Sequence, residues 1–244
     1  MANYNRYQTG LWIVRTAMSR CDLEQPSTIE GTVEDTVAKF LVLLNFVGQQ
    51  IVESYPWQRM EKVWTLVTDG SLSYATPEDF DRFVPDTEWN NSTRFPLAGP
   101  LSASQWNALV ARGLGAATFQ LYYKYQNDQI TFYAEPSASP QTLAMAYYQR
   151  GWVYDADGAG TTKDFVSKNT DQVLLHPLLM AVGVALKWKQ DRGFDTTSLQ
   201  GEFDALASTS TAKDNTASTV IMGRTGGATP LLGVSNVPVT NFGS

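Results

Sequence analysis

The sequence predicts an α+β protein: a helical bundle made from both chain ends, an antiparallel β-rich insertion and an extended C-terminal arm. Three observations carry that expectation. Apolar residues recur at helical spacing toward both ends, as Val33, Val37, Phe40, Leu44, Val47 and Ile51, and again as Leu178, Val182, Ala185 and Leu186. Between these stretches the period falls to two, as in Val63, Thr65 and Val67. After about Asn215 the chain becomes rich in Gly, Ser, Thr, Val and Pro, and Arg224 is its only charge. The expected segments are 1–56 for the N-terminal helices, 57–175 for the β-rich insertion, 176–215 for the C-terminal helices and 216–244 for the arm.

The elements follow in chain order. Leu11, Val14, Met18 and Cys21 lie three or four apart and predict a helix ending near Asp22, before the loop at Pro26 and Ser27. In the second helix Thr32 is a candidate cap, with Asp35 where a capping box places an acid. Leu41, Leu43, Phe46 and Val52 widen its apolar face, so burial on more than one side is expected. Tyr55-Pro56 ends it. Val63 to Val67 reads as a strand, Gly70-Ser71 as a turn, 82–89 as an extended stretch broken by Pro85, and Asn90-Asn91-Ser92 as a loop.

Ser102 and Gln105 form a second capping box, opening a short helix with Trp106, Leu109 and Val110 on its apolar side and Gly113 as its end. A hairpin follows, with Phe119, Leu121, Tyr123 and Tyr125 alternating on one strand and Ile130, Phe132 and Ala134 on the next. Asn127-Asp128 is its two-residue turn, because both residues tolerate positive φ. A third strand is expected over 142–148, continuing through Trp152 to Tyr154, and then a polar glycine-rich loop over 155–162. Pro177 suits the first position of a helix that Gly193 stops. A last helix over 198–213 carries Leu199, Phe203 and Leu206.

Composition narrows the function classes. With 43% hydrophobic and 17% charged residues, the chain of 244 residues can build a sizeable core. Seven Trp and eleven Tyr suit half-wet surfaces such as subunit interfaces as well as β cores. Acids outnumber bases, 24 to 18, for a net charge of -6. The densest basic stretch is Lys187, Lys189 and Arg192, at a helix end where cations oppose the dipole, so a phosphate-gripping surface is not expected. Met1 to Gly10 carries no secretory apolar segment and Phe40 to Val47 is too short to span a bilayer, so a soluble protein made in a cytoplasm is expected.

Catalytic candidates are few. His176 is the only histidine and Cys21 the only cysteine. One of each rules out a zinc site of nitrogen and sulfur ligands, and any Ser-His-Asp or Cys-His site would have to use His176. His176 precedes Pro177, where turn geometry accounts for it, and Cys21 reads as core packing. Glu78, Asp79 and Asp81 could run acid–base chemistry or could cap and solvate a turn after Pro77. Asp155, Asp157 and Gly158 open like a calcium loop, but Ala159, Gly160 and Thr161 stand where further ligands belong. Gly223-Arg224-Thr225-Gly226-Gly227 lacks the lysine of a phosphate-binding loop. No cofactor, metal or catalytic residue is therefore expected.

The arm has an inert reading as a disordered tail and a sharper one as a segment ordered along a neighbouring subunit. The apolar clusters Val220-Ile221-Met222 and Leu231-Leu232 favour the second and are the candidate partner interface.

An ordered series of motifs carries a family resemblance. It runs through Asp79-Phe80-Asp81-Arg82-Phe83-Val84, then Asp86-Thr87-Glu88-Trp89-Asn90-Asn91-Ser92-Thr93-Arg94, then Pro96 to Ser102 with Gln105-Trp106. It continues with Tyr147, Gly151-Trp152-Val153, Pro177-Leu178-Leu179, Gly183, Leu186-Lys187-Trp188-Lys189 and Arg192-Gly193-Phe194-Asp195. Over about residues 30–210 the chain resembles head–tail adaptor (connector) proteins of short-tailed bacteriophages.

The resemblance implies a structural virion protein rather than an enzyme. It implies a dodecameric homo-oligomeric ring docked under the portal protein at the portal vertex, touching no membrane. Packaged DNA would pass through the ring without sequence-specific binding. The β insertion would face the tail nozzle and tail fibre proteins, and the arm would reach the portal or an adjacent subunit. Competing readings are a nozzle or stopper ring further from the head, a carbohydrate- or receptor-binding module, and a virion glycoside hydrolase using Glu78 or Asp79.

Overall fold

Helix α1 (Gly10–Ser19) and helix α2 (Asp35–Ser54) come first, and helix α4 (Pro177–Asp191) and helix α5 (Thr197–Asp214) come last. The computed structural model describes residues 7–31, 34–113, 120–134, 140–155 and 161–214. Within these, helices and antiparallel sheets coexist, which makes the chain α+β as expected.

Helix α4 is apolar almost all round. Leu179 to Leu186 are all buried, as is Trp188, and the helix packs against α1, α2 and α5. The single face expected through Leu178 is therefore wrong: Leu178 is exposed, because a helix enclosed by three others buries more than one stripe. Helix α1 buries Ile13, Val14, Ala17 and Met18, and Cys21 lies half-buried just past its end. Helix α2 begins at Asp35 behind an extended Glu34 with no side-chain cap, so Asp35 is the first helical residue and not the third position of a capping box. The expected cap, Thr32, lies outside the described residues. The face expected for α2 is correct at Val37, Phe40, Leu44, Val47 and Ile51, all buried. Gly193, at φ +71°, stops α4 as expected, and Phe194 N donates to Lys189 O at 3.0 Å.

The middle of the chain forms three small antiparallel sheets. In the largest, β1 (Glu61–Val67) pairs with β8 (Thr142–Gln149), which also pairs with β3 (Phe80–Phe83) and β4 (Trp89–Asn90); β4 pairs in turn with β5 (Phe95–Pro96). The hairpin β6 (Tyr123–Gln126) and β7 (Gln129–Phe132) joins β2 (Ser73–Ala75). Its turn residues Asn127 and Asp128 have φ of 53° and 55°, the left-handed pair a tight hairpin needs. Phe119, expected on this hairpin, lies outside the described residues. The expected long third strand is two strands. It breaks after Gln149, and β9 (Val153–Tyr154) pairs instead with β10 (Thr162–Lys163) and β11 (Gln172–Val173). At the break, a Cβ on Gly151 would lie 2.9 Å from the Lys163 amide nitrogen, so only glycine fits there.

Helix α3 (Ala103–Arg112) has the expected capping box, with Gln105 N donating to Ser102 Oγ at 3.3 Å and Ser102 N to Gln105 Oε1 at 2.9 Å. Its expected apolar side is not buried: Val110 is exposed, and Trp106 is half-buried against Tyr133 and Lys124. The Asn90 to Ser92 loop is also revised. Asn90 is a buried strand residue whose side chain accepts from Ser92 N and Thr93 N and donates to Gln141.

Two apolar cores result. One joins α1, α2 and α4 to Trp57, Met60, Trp152, Val153, Val166, Val173 and Leu175. The other is formed by Leu97, Tyr123, Ile130, Phe132, Leu143 and Met145. In the first, Trp152 lies on α2 where Gly48 leaves room, and a Cβ at Gly48 would lie 2.3 Å from the indole. Replacing Gly48 with Ala gains about 1 kcal/mol of helix propensity but forces a buried ring to move, at roughly 1–3 kcal/mol. The second effect wins because the ring is enclosed, and Gly48→Ala is expected to lower the denaturant midpoint in an equilibrium unfolding series.

Candidate functional site

The sequence-predicted chemical residues are occupied by structural work. His176 is the N-cap of α4: Nδ1 accepts from Leu179 N at 3.3 Å. Burial, with Arg59 and Lys213 nearby, pushes its pKa down, which keeps the ring in the neutral form that can accept this bond. Burial pushes the Cys21 thiol up, away from reactive thiolate character.

The acids after Pro77 are separated in role. Asp79 lines a cleft of about 520 Å³ with Lys62, Glu78, Arg150, Lys163 and Asp164. Its two oxygens are taken by Lys62 Nζ at 2.6 Å and by the Tyr147 hydroxyl at 2.8 Å. Burial alone would raise this carboxyl, but the two hydrogen bonds outweigh it and hold the group below the usual range. A glycosidase acid needs the opposite shift. Asp81 sits 3.6 Å from Arg82 and both are exposed. Across the cleft Arg150 pairs with Asp164 at 2.7 Å.

At the glycine-rich loop, Asp155 faces Lys163 at 3.9 Å and Lys168 at 3.7 Å, so protein cations stand where calcium was considered. Asp157 and Gly158 lie outside the described residues, as do the 223–227 glycine stretch and Val220, Ile221, Met222, Leu231 and Leu232. Among the described residues no group of three or more His, Cys, Asp or Glu side chains is placed to hold a metal, and no helix is long and apolar enough to cross a membrane.

Two buried polar centres carry no local sequence signal. Asp171 is fully buried, accepts from Ser167 N at 2.7 Å and Lys168 N at 2.8 Å, and lies 2.7 Å from Lys163 Nζ. Its carbonyl accepts from Gly10 N, tying this turn to the start of α1. Glu88 is buried in the sheet region and accepts from the Tyr123 hydroxyl at 3.0 Å. The Glu88–Tyr123 bond and the tie from Gly10 to Asp171 join residues distant in sequence, so spacing could not reveal them.

One helix face is left apolar and exposed. On α2, Val42 is 67% and Phe46 56% exposed, one turn apart on the same face. Leu41, Leu43 and Val52 pack against the first core and widen the buried face of α2 as expected, but Phe46 does not. A groove of about 520 Å³ runs beside Val42, between α2 and α4, with Ala38, Leu43 and Trp188 in its lining and Asp35, Lys39, Asp191 and Arg192 among its polar residues. The Arg192 guanidinium lies 4.2 Å from the Trp188 ring centre, and Lys187 Nζ lies 5.9 Å from that of Phe46. The basic residues at this helix end thus sit over aromatic faces. Sequence periodicity located Phe46 on a widened apolar face and did not single out Val42.

A surface of this kind, with His176, Asp79 and Asp155 held by neighbouring groups, suits a protein that works by contact. A family model described as SU10 adaptor protein matches residues 9–223. The chain belongs to this family. None of the curated proteins matches it. The adaptor is thus a bacteriophage head–tail adaptor, a structural protein of the virion, as the motif series implied.

Asp171 gives the adaptor a pH dependence whose sign can be stated. Burial would raise its pKa, but Lys163 and the two amides lower it below the usual carboxylate value. A folded pKa below the unfolded one stabilises above that unfolded value, about 4, and the contribution is lost as pH falls through the folded pKa. Asp171→Asn is expected to cost about 2 kcal/mol at neutral pH, from charge-assisted hydrogen bonds. The difference from wild type should shrink in urea melts taken below pH ~4.

Proposed function

We propose that this adaptor is one subunit of a homo-oligomeric, dodecameric ring beneath the portal protein, joining head to tail and leaving a passage for the genome. In this reading helices from both chain ends, 1–56 and 176–215, form the bundle that builds the ring wall. The β-rich insertion, 57–175, is directed toward the nozzle and tail fibre proteins. The C-terminal arm, 216–244, engages the portal or a neighbouring subunit through Val220, Ile221, Met222, Leu231 and Leu232.

The exposed Val42–Phe46 stripe on α2 is the observation that carries the ring. An isolated subunit leaves that stripe in water, beside a groove floored by Leu43 and Trp188, and contact with a neighbouring helix would remove it. Obligate interfaces are the more apolar class, and each partner of a stable one buries about 800 Å² or more. The net charge of -6 supports a passage along which phosphates slide without being held. Direct binding to isolated portal separates an adaptor ring from a nozzle or stopper ring, which needs another protein between them.

The test is a double substitution, Val42→Glu with Phe46→Glu. Both side chains are exposed in the subunit, so its circular dichroism and melting should be nearly unchanged. Two lost apolar anchors of about 1.5 kcal/mol each lower incorporation into portal-bearing particles by roughly a hundredfold. Normal incorporation of the double variant would remove α2 from the ring interface.

A further inference from the structure

Among the described residues the outer edge of β1 is left open. Among the described residues strand β1 is the last strand of its sheet and pairs only with β8. Which of its backbone groups face outward follows from three hydrogen bonds. Thr68 N donates to Gln141 O at 2.9 Å, so Thr68 and, by alternation, Leu66, Trp64 and Lys62 bond toward β8. The β8 carbonyls opposite Val67 and Val63, those of Thr142 and Ala146, accept instead from Asn91 N and Val84 N on the far side. Val63, Thr65 and Val67 therefore direct their N–H and C=O groups to the open edge.

Natural edges are guarded by short length, proline, charge or a bulge. At the opposite end of this sheet β5 has two residues, Phe95 and Pro96, and is guarded. By contrast β1 is seven residues long, in unbroken register, with its charges confined to Glu61 and Lys62. Val63 is 68% and Val67 57% exposed, so two of the three residues that offer backbone groups also offer apolar side chains.

We infer that this edge is extended by a strand from a second copy of the chain, the segment Ala217 to Met222. The inference deepens the ring reading and rests on it. Three observations select this occupant. First, Asp214, the last residue of α5, accepts from Gln58 N at 2.7 Å and pairs with Arg59 at 3.3 Å, three residues or fewer before β1 starts. Rotation about a ring axis keeps equivalent atoms at one height, so a neighbour's segment leaves its own subunit level with this edge. Second, the thirty residues from Asn215 to Ser244 can span about 100 Å when extended, enough to reach an adjacent subunit. Third, Ala217-Ser218-Thr219-Val220-Ile221-Met222 has no charge and no proline and contains three consecutive β-branched residues, the composition an added strand needs. Val220, Ile221 and Met222 would thus act as a strand.

Proline tests the edge selectively. The Thr65 N–H faces outward, so Thr65→Pro removes an outward donor and leaves the β8 ladder intact. The variant should melt close to wild type and still bind portal through other surfaces, while ring assembly falls by about tenfold or more. Assembly at the wild-type level would overturn the inference. A second measurement does not depend on how well that variant folds. With Cys21 changed to Ser, Thr65→Cys is combined in turn with Thr219→Cys, Val220→Cys and Ile221→Cys, and assembled particles are oxidised. Disulfide-linked multimers in at least one pair are expected. A disulfide within one chain, or none in any pair, would overturn it. Failure of the wild-type chain to form a ring on portal would instead sink the ring reading itself, a distinguishable result.

Discussion

Covering α4 is the constraint on which the rest of the fold depends. A helix with apolar residues on nearly every side can be stable only when wrapped. Helices α1, α2 and α5 cover three sides, and the Trp152 to Leu175 stretch contributes to the same core. The helices that supply this cover are separated by more than a hundred residues, so the intervening sheets must leave and return at fixed points. Those points are held by polar clamps. Arg59 donates to the Leu174 carbonyl at 2.8 Å, and Asp171 accepts from the turn that lies under the start of α1.

What was legible in the sequence was local. The Ser102–Gln105 capping box, the Asn127-Asp128 turn, the Gly193 stop and the α2 core stripe depend on residues within one or two turns of each other, and each is where spacing put it. What was not legible depended on distant partners. The face of α1 widened beyond Leu11, Val14, Met18 and Cys21 to take in Ile13 and Ala17, because α4 and α2 both cover it. The strand ending at Gln149 broke because Gly151 has to pass against Thr162 and Lys163.

The same limit applies to the exposed face of α2. Periodicity marks Phe46 as apolar but does not distinguish a residue packed within the chain from one awaiting another molecule. Only the arrangement of α1 and α4 on one side of α2 leaves Val42 and Phe46 uncovered. The acids and the histidine were visible from the start, and their neighbours decided their roles: Lys62 and Tyr147 for Asp79, and Leu179 N for His176.

The attachment of Asp214 has a mechanical consequence. Its carboxylate grips the Gln58 amide and Arg59, which in turn holds the Leu174 carbonyl. Tension on the chain beyond Asp214 therefore does not simply peel α5 from its end. It is handed at once to the junction between α2 and β1 and to the segment entering α4, so the load is shared by the best-packed part of the molecule. A pull applied at this point would have to break these polar bonds before α5 could unwind.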